Sequence, residues 1–486
     1  MLLAEGMLLT VDLGTSATKA VLWDHDGPVA MGRAELPTFH SAPGWAEQDP
    51  DDWWSSTLGA CAQVRGQDEK RFKEVTAVGF STARETFVPV GADGRPRGRA
   101  LLWSDRRASA EAAQLIASAG GVDALRDRTG IVVDAGSPVA KVAWLRAHQP
   151  DRLRSARWLL GPRDLVFLRL TGEVDTDVTV AGRSGFYDLD GAVAPETAAG
   201  VEHLLPPVSS STTAVALADT EAGLPAGTVV VLGAGDRACE VLGAGASGRT
   251  PMVSWGTTAN VSLPTPTLPS PLPAGLVASR GATGGHLLEA GLSASGAALA
   301  WLQHLTGLDQ LALVDAAAAA EPGARGAVAL PWLNGARAPW WRPGARAAFL
   351  NLTPAHGPGD LARALYEAVA FDVARSLEAL SSAADGDLAA TGGGVAGPLW
   401  VQLLAAVTGR SVVLRRSGEA ASAGACLLAG RAVGAPLELD RINPVVATTS
   451  PDLSLAKRYR DLRPLVDRVA EGVLGLDLSE WSTGWT

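Results

Sequence analysis

The chain has 486 residues, 47% of them hydrophobic and 19% charged, which is the composition of a globular protein and a length that predicts two or three domains. Its formal net charge of −10 argues against a general nucleic-acid-binding protein, because phosphate backbones are bound by basic patches. The sequence contains no apolar run of about 20 residues and no signal-peptide pattern, so we expect neither a membrane span nor secretion. The widely separated Cys61, Cys239 and Cys426 are typical of the reducing cytoplasm.

The first half of the chain begins with a predicted antiparallel unit. Strands are expected over residues 7–14, 18–24 and 28–36, and Asp26-Gly27 forms the second turn. A helix over 50–66 follows. The remaining expected elements are a buried strand over 75–80, strands over 87–90 and 100–103 around a hairpin-like turn at Asp93-Gly94, helices over 108–118 and 138–148, short strands and loops over 158–190, and a buried strand over 229–232.

The second half repeats this plan with a hairpin over 251–255 and 259–263, followed by a proline-rich loop over 264–273. The further expected elements are helices over 293–306, 310–320 and 360–382, a strand over 389–391, and helices from 398 and over 421–433. Glycines cluster at 243, 245 and 248, and we place a domain boundary there. The predicted domains are residues 1–243 and 244–486.

Two matching hairpin turns are the most informative feature. Asp12-Leu13-Gly14-Thr15-Ser16 and Trp255-Gly256-Thr257-Thr258 each join two apolar runs. Glycine permits a sharp turn, and successive turn N–H groups with adjacent hydroxyls form an anion-binding concavity. One such turn in each half predicts a duplicated protein that grips one phosphate chain from both sides, as in a nucleotide-dependent phosphotransferase. Lys19 could also reach phosphates, and Asp12 could hold Mg²⁺, although it could equally be a turn residue.

Charged and aromatic residues follow several predicted strands. Asp236 comes directly after the strand over 229–232, where ligands bind in α/β sheets, and an aspartate suits a general base. Arg84-Glu85 follows the strand over 75–80 and could bind the hydroxyls of a polyol, or form a surface ion pair. Trp103 could stack on a sugar or belong to the core. Gly392-Gly393-Gly394 could let a nucleotide lie on the backbone.

A dinucleotide-binding oxidoreductase is one alternative. Gly233-x-Gly235-x-x-Ala238 and Gly243-x-Gly245-x-x-Gly248 match the fingerprint loosely, but no acidic residue follows at the spacing that the ribose requires. The sequence also has no Gly-Lys dipeptide, which excludes a standard P-loop. A second alternative is an actin-like nucleotide-dependent scaffold that needs no small-molecule acceptor.

Taken together, these segments resemble the FGGY family of carbohydrate kinases over nearly the whole chain. The shared motifs are Asp12–Ser16, Pro43–Pro50, Trp103–Arg106, Gly233–Asp236, Trp255–Thr258, Ala338–Trp341 and Thr391–Gly394. The resemblance implies an α/β fold of two actin-like, ribonuclease H-like domains with the active site in the cleft between them. It implies transfer of the γ-phosphate of Mg·ATP to a hydroxyl of a sugar or polyol. Members of the family are often dimers or tetramers, so the resemblance is compatible with a homodimer.

The resemblance also implies residue roles. Asp236 is the expected catalytic base and Asp12 the expected Mg²⁺-associated acid. The expected nucleotide-binding residues are Gly14, Thr15, Ser16, Lys19, Gly256, Thr257, Gly296, Gly393 and Gly397, and the expected substrate-binding residues are Arg84, Glu85, Trp103, Asp236 and Arg237.

The acceptor is less well defined by the sequence. Arg84-Glu85 and Trp103 resemble the glycerol kinase branch, whereas Gly44–Pro50 resembles xylulose kinases. Gly136 stands where the glycerol branch has a tyrosine, and Arg237 stands where it has a glutamine. We therefore expect an enlarged pocket and a four- or five-carbon polyol or ketose such as xylulose, with glycerol as the alternative.

Overall fold

The computed structural model describes residues 6–218, 222–380 and 384–476. Each half of the chain builds one large mixed sheet flanked by helices. The strands of the first half are β1 (Met7–Leu13), β2 (Ala17–Asp24), β3 (Gly27–Glu35), β4 (Glu47–Gln48), β5 (Val75–Thr82), β6 (Val88–Val90), β7 (Ala100–Leu101), β8 (Trp158–Leu160), β9 (Thr176–Asp177), β10 (Val208–Ser209), β11 (Ala214–Ala216) and β12 (Val229–Gly235). Its helices are α1 (Pro50–Gln67), α2 (Glu69–Phe72), α3 (Ser109–Ser118), α4 (Val122–Thr129), α5 (Pro138–His148), α6 (Pro150–Arg154), α7 (Pro162–Thr171), α8 (Val178–Ala181), α9 (Pro195–Ala198) and α10 (Asp236–Ala244).

The first sheet has the strand order β11-β12-β5-β1-β2-β3. Strand β2 is antiparallel to both β1 and β3, whereas β5 runs parallel to β1 and β12 runs parallel to β5. Asp12 lies opposite Ser81, and Ser81 lies opposite Ala234. Parallel strands therefore bring Asp12, the residues after Thr82 and the residues after Gly235 to one edge of the sheet.

A lobe inserted between β5 and β12 carries most of the short helices. It has its own hydrophobic core, which includes Phe87, Leu125, Trp144, Leu145 and Phe186. This second core holds the segments that follow β5 against the edge of the first sheet.

The strands of the second half are β13 (Met252–Trp255), β14 (Ala259–Thr265), β15 (Val277–Arg280), β16 (His286–Leu292), β17 (Val328–Leu330), β18 (Ala348–Leu350), β19 (Leu388–Thr391), β20 (Val412–Arg415) and β21 (Val445–Thr449). Its helices are α11 (Gly296–Thr306), α12 (Gln310–Ala319), α13 (Pro358–Leu380), α14 (Pro398–Thr408), α15 (Ala420–Ala432), α16 (Leu439–Ile442) and α17 (Leu453–Leu474). Among the described residues, no helix combines the length and apolar character needed to cross a bilayer.

The second sheet repeats the first. Its order is β15-β16-β14-β13-β19-β20-β21, in which β13, β14 and β16 are antiparallel neighbours and β19 and β20 run parallel to β13. Strands β13 and β14 thus occupy the places that β1 and β2 have in the first sheet. The two predicted glycine-threonine turns are therefore structurally equivalent.

Helix α15 belongs to the second half but packs on α10 and on strands of the first sheet. The two helices approach so closely that a Cβ on Gly243 would overlap the Ala420 carbonyl oxygen, and one on Gly424 would overlap the Cys239 carbonyl oxygen. This contact explains the small residues of α15, because larger side chains would push it away from the helix that Asp236 begins.

Several predicted elements need correction. Helix α7 occupies part of the segment expected to be strands and loops. The hairpin-like turn at Asp93-Gly94, by contrast, forms as expected, because Phe87 bridges Leu101 and Val90 bridges Pro96 in antiparallel pairs. The strands beside it also have other partners: β6 pairs with β8, and β7 pairs with β4. Pro264, expected in a loop, lies near the end of β14, and the helix expected from residue 293 begins at Gly296. The last two residues of the helix expected over 360–382 lie outside the described residues, and the domain boundary stays a prediction.

Candidate active site

The first turn connects directly to the predicted acceptor site. The Gly14 N–H donates to the Ala17 carbonyl oxygen at 3.2 Å and closes the turn. The indole N–H of Trp103 donates to Thr15 Oγ1 at 2.9 Å. Trp103 is 39% exposed, so its ring keeps a free surface beside this turn. The structure thus brings a predicted phosphate-binding residue and a predicted acceptor-binding residue into contact.

Asp12 and Lys19 face each other on β1 and β2. Burial, together with the negative charge of Asp236, raises the pKa of Asp12 to about 6. The Lys19 ammonium donates to both carboxylate oxygens of Glu419, at 2.8 and 2.7 Å. Lys19 therefore links the two halves of the molecule, a partner that its sequence position did not indicate.

Asp236 is the first residue of α10, immediately beyond β12. Its Oδ1 accepts a hydrogen bond from the Arg237 backbone N–H at 2.6 Å and lies 3.1 Å from Arg84 Nε. Helix N-termini stabilise negative charge. With 42% of its side chain exposed, the carboxylate is both oriented and open to a ligand.

Glu289, on β16 of the second half, completes this charge cluster. Arg84 donates to both of its oxygens, at 2.8 and 3.0 Å. Burial alone would raise the pKa of this carboxyl group, but Arg84, Arg183 and Arg237 outweigh that effect and lower it to about 2. Arg84 thus joins the predicted base Asp236 to a buried carboxylate of the other half. The sequence reasoning missed Glu289, although an acid inside the apolar run of β16 was a usable signal.

Glu85 is held in an unusual backbone conformation. Its φ is 61°, in the left-handed region that residues other than glycine seldom adopt. Arg183 donates to Glu85 Oε1 from Nε at 2.9 Å and from Nη2 at 2.5 Å, and Lys141 donates to the Glu85 carbonyl oxygen at 2.7 Å. Both ends of this residue are therefore fixed by cations of the inserted lobe.

These side chains line a cavity of about 250 Å³ between the two halves. All five predicted acceptor residues contribute to it: Arg84, Glu85, Trp103, Asp236 and Arg237. Lining residues that were not among the predicted acceptor residues include Val132, Asp134, Arg183, Glu289, Arg337 and Trp341. The Arg237 guanidinium pairs with Glu240 and has Nε 4.0 Å from Glu289 Oε2. The Arg337 side chain forms neither a hydrogen bond nor an ion pair within the described part of the chain.

The expectation for Gly136 is wrong. A Cβ at this position would overlap the Trp103 carbonyl oxygen and lie 2.9 Å from Arg106 Nη1, so the backbone packs too closely for any side chain. Gly136 does not open the pocket. Instead Asp134, whose Oδ1 accepts from the Gly136 N–H at 2.8 Å, lines the cavity and pairs with Arg106 at 2.7 Å.

A second cavity, of about 740 Å³, lies in the second half beside the second turn. It is lined by the predicted residues Gly256, Thr257, Gly296, Gly393 and Gly397. The Gly256 carbonyl oxygen accepts from the Gly296 N–H, and that of Thr257 from the Ala297 N–H, both at 3.0 Å, so the turn and the start of α11 form one unit. Lining residues that sequence reasoning did not find include Gln303, Leu311, Val314, Tyr366 and Trp400.

The glycines of this second cavity have different tasks. Gly392 has a φ of 91°, and a Cβ there would overlap the Trp255 carbonyl oxygen. Gly393, by contrast, faces open space. The close packing of Gly392 against β13 thus leaves the backbone at Gly393 accessible to a flat ligand.

Comparison with protein families identifies this arrangement. The model of the N-terminal domain of the FGGY family of carbohydrate kinases matches residues 7–243, and that of the C-terminal domain matches residues 252–433. The chain belongs to the FGGY family of carbohydrate kinases. The predicted two-domain α/β fold of actin type is thereby confirmed.

Individual relatives of this kinase differ in their acceptors. A xylulose kinase of Escherichia coli (strain K12) is 30% identical over 479 residues, covering 94% of this chain and 96% of its own length. A glycerol kinase of Methylibium petroleiphilum is 33% identical over 455 residues, which cover 88% of this chain and 91% of the length of that kinase. The crystal structure of xylulose kinase from Rhodospirillum rubrum superposes with a TM-score of 0.88 at 26% identity, covering 96% and 99%. The family establishes a sugar or polyol kinase that uses ATP; the roles of individual residues stay predictions.

Proposed function

We propose that this kinase phosphorylates a four- or five-carbon polyol or a pentulose such as xylulose. The observation that carries the proposal is the cavity between the two halves, where Asp236, Arg84, Glu85 and Trp103 converge. Its volume of about 250 Å³ exceeds what a three-carbon polyol needs. Arg237 and Arg337 add donors that a longer acceptor could use.

In this proposal Asp236 accepts the proton of the attacking hydroxyl. Its carboxylate is exposed to the cavity and held by the Arg237 backbone N–H, so it is aimed before the acceptor binds. Arg84 and Glu85 bond the acceptor's hydroxyls, and the Trp103 ring covers its carbon chain. Most of the rate acceleration would come from this positioning and from neutralising charge on the transferred group.

The second cavity would hold the adenosine part of ATP, with Leu311 and Val314 as apolar walls and Gly393 as an open backbone surface. The two equivalent turns, Gly14–Ser16 and Gly256–Thr257, would bind the phosphates from opposite sides. Asp12 fits a magnesium site: burial, to which the charge of Asp236 adds, raises the pKa of its carboxyl group to about 6, so a bound cation would stabilise the charged form. Bound Mg²⁺ would neutralise phosphate charge.

Glycerol remains the second candidate acceptor. Arg84, Glu85 and Trp103 resemble the glycerol kinase branch, and a glycerol kinase is among the relatives. Because Gly136 does not enlarge the cavity, the case for a longer acceptor depends on Arg237, Arg337 and the cavity volume.

The test is ADP release, measured by a coupled assay with Mg·ATP, against glycerol, erythritol, ribitol, xylitol, arabitol, D-xylulose, D-ribulose and L-ribulose. We expect the highest kcat/KM for a pentitol or pentulose. A preference for glycerol would overturn the longer acceptor but not the kinase. Nucleotide binding with no turnover on any acceptor would favour the actin-like scaffold. We further propose a cytoplasmic location, consistent with three buried free cysteines.

A further inference from the structure

Lys141, on α5 of the inserted lobe, is a completely buried lysine. Its side chain exposes none of its surface to solvent, and it forms no ion pair among the described residues. Instead its ammonium donates to three backbone carbonyl oxygens: Glu85 at 2.7 Å, Leu102 at 2.8 Å and Leu101 at 3.4 Å. Lys141 therefore joins two chain segments that are not sequence neighbours.

A buried lysine is not explained by its contribution to core packing alone. A buried ammonium without a carboxylate loses its hydration, and burial lowers the pKa of Lys141 to about 7. A methionine of similar length would fill the same space without that penalty. The charge must therefore serve the groups that it touches.

Both segments that Lys141 joins carry predicted acceptor residues. The Glu85 carbonyl oxygen belongs to the Arg84-Glu85 pair, and Leu102 immediately precedes Trp103. Glu85 has a strained backbone with φ of 61°. Strained residues persist only where the surrounding structure holds them, and the bond from Lys141 to the Glu85 carbonyl oxygen is one of the contacts that do so.

We infer that Lys141 is a positioning residue that sets the spacing between the Arg84-Glu85 pair and the Trp103 ring. It does not touch the acceptor; it acts through these backbone carbonyls. The inference rests on the proposed function only in assigning those residues to acceptor binding. The spacing itself exists in the free protein and can be measured without turnover.

The first experiment compares Lys141→Met with the parent kinase and with Lys457→Met. Lys457 is an exposed lysine on α17 that pairs with Asp461 at 2.7 Å, so its replacement controls for the loss of one lysine. For Lys141→Met we expect acceptor kcat/KM to fall about 10- to 100-fold, mainly through KM. The KM for ATP should change less than about twofold, and the melting temperature should not fall. An unchanged acceptor KM, or equal losses for both substrates together with a lower melting temperature, would overturn the inference.

A second variant separates charge from volume. Lys141→Ala lacks the atoms of a propylammonium ion, so added propylammonium should restore acceptor KM toward the parent value, whereas 1-propanol of similar size should not. Equal rescue by both compounds, or by neither, would show that the ammonium does not position the site.

A third readout needs no activity. In protein labelled with 5-fluorotryptophan, the ¹⁹F resonance of Trp103 can be assigned from its absence in Trp103→Phe. We expect Lys141→Met to shift or broaden this resonance in the free protein, and Lys457→Met to leave it unchanged. If Lys141→Met shifts the resonance but the parent protein phosphorylates no acceptor, the proposed function is refuted and the positioning role is supported. An unmoved resonance would refute the positioning role itself.

Discussion

Replacing Glu289 by glutamine tests the link between the two halves at the acceptor cavity. The substitution keeps the shape of the side chain but removes the charge that Arg84 binds through two hydrogen bonds. Both partners are buried, with 13% and 2% of their side chains exposed, so solvent screens the pair only weakly.

The magnitude follows from the pKa of Glu289, which falls from an ordinary value near 4.5 to about 2. That difference corresponds to about 3 kcal/mol in favour of the charged form. Losing one partner of a buried ion pair costs about 3–5 kcal/mol, which agrees. We therefore expect Glu289→Gln to lower the free energy of unfolding by about 3 kcal/mol at neutral pH.

The pH dependence of this effect has a defined sign. Because folding lowers the pKa of Glu289, its stabilising contribution is fully present above about pH 4.5 and is lost as the pH falls toward 2. The stability difference between the parent and Glu289→Gln should therefore narrow below about pH 4.5. Urea unfolding at several pH values measures it.

Activity should fall as well. Without Glu289, the Arg84 guanidinium is free to bind the Asp236 carboxylate more fully, since Nε already lies 3.1 Å from Oδ1. A better-paired carboxylate is a weaker base, and Arg84 would no longer face the acceptor. If the full 3 kcal/mol reached the transition state, acceptor kcat/KM would fall about 100-fold, which we take as the upper limit.

The matched control is Glu367→Gln. Glu367 is also a buried glutamate, accepts from Arg363 Nε at 2.7 Å, and lies on α13 away from the acceptor cavity. The Glu367→Gln variant should lose about as much stability as Glu289→Gln, while its folded fraction retains the parent kcat and acceptor KM. Equal activity losses in both variants, or a Glu289→Gln enzyme with parental kinetics and stability, would refute the reasoning.

Three further outcomes are expected. Asp236→Asn should lower kcat by about 10²- to 10⁴-fold while ATP affinity, measured by calorimetry, stays near the parent value; near-normal turnover would exclude Asp236 as the base. Burial lowers the pKa of Lys141 from an ordinary 10.5 to about 7, so between these values the unfolded chain binds one more proton than the folded protein. The free energy of unfolding should therefore rise by about 2 kcal/mol between about pH 7 and pH 9. Urea titrations of Lys141→Met should lack that gain, and an equal pH slope would contradict this account. Gly424→Ala places a methyl group against the Cys239 carbonyl oxygen and should lower the free energy of unfolding by about 1–3 kcal/mol and also lower kcat. Its control is Gly472→Ala on α17, where a Cβ meets nothing within 4 Å, and this variant should change neither quantity.

The sequence by itself determined the features that depend on neighbouring residues. The two glycine-threonine turns, the strands around them and the position of Asp236 after a buried strand all follow from local patterns and from family motifs. Glycines beside strand ends and helix starts can also be recognised in a single sequence, and the five residues predicted there line the second cavity. Their role in nucleotide binding stays a prediction.

Only the tertiary structure decided the partners of those residues. Arg84 and Glu289 are 205 positions apart, and Lys19 and Glu419 are 400 apart, so no spacing in the sequence relates them. Gly136 was misread for the same reason: whether a glycine leaves space or fills a close backbone contact depends on the Trp103 carbonyl, which the fold brings there. Local chemistry is set by the order of residues, whereas the charge, space and burial around each group are set by the packing of the two halves against each other.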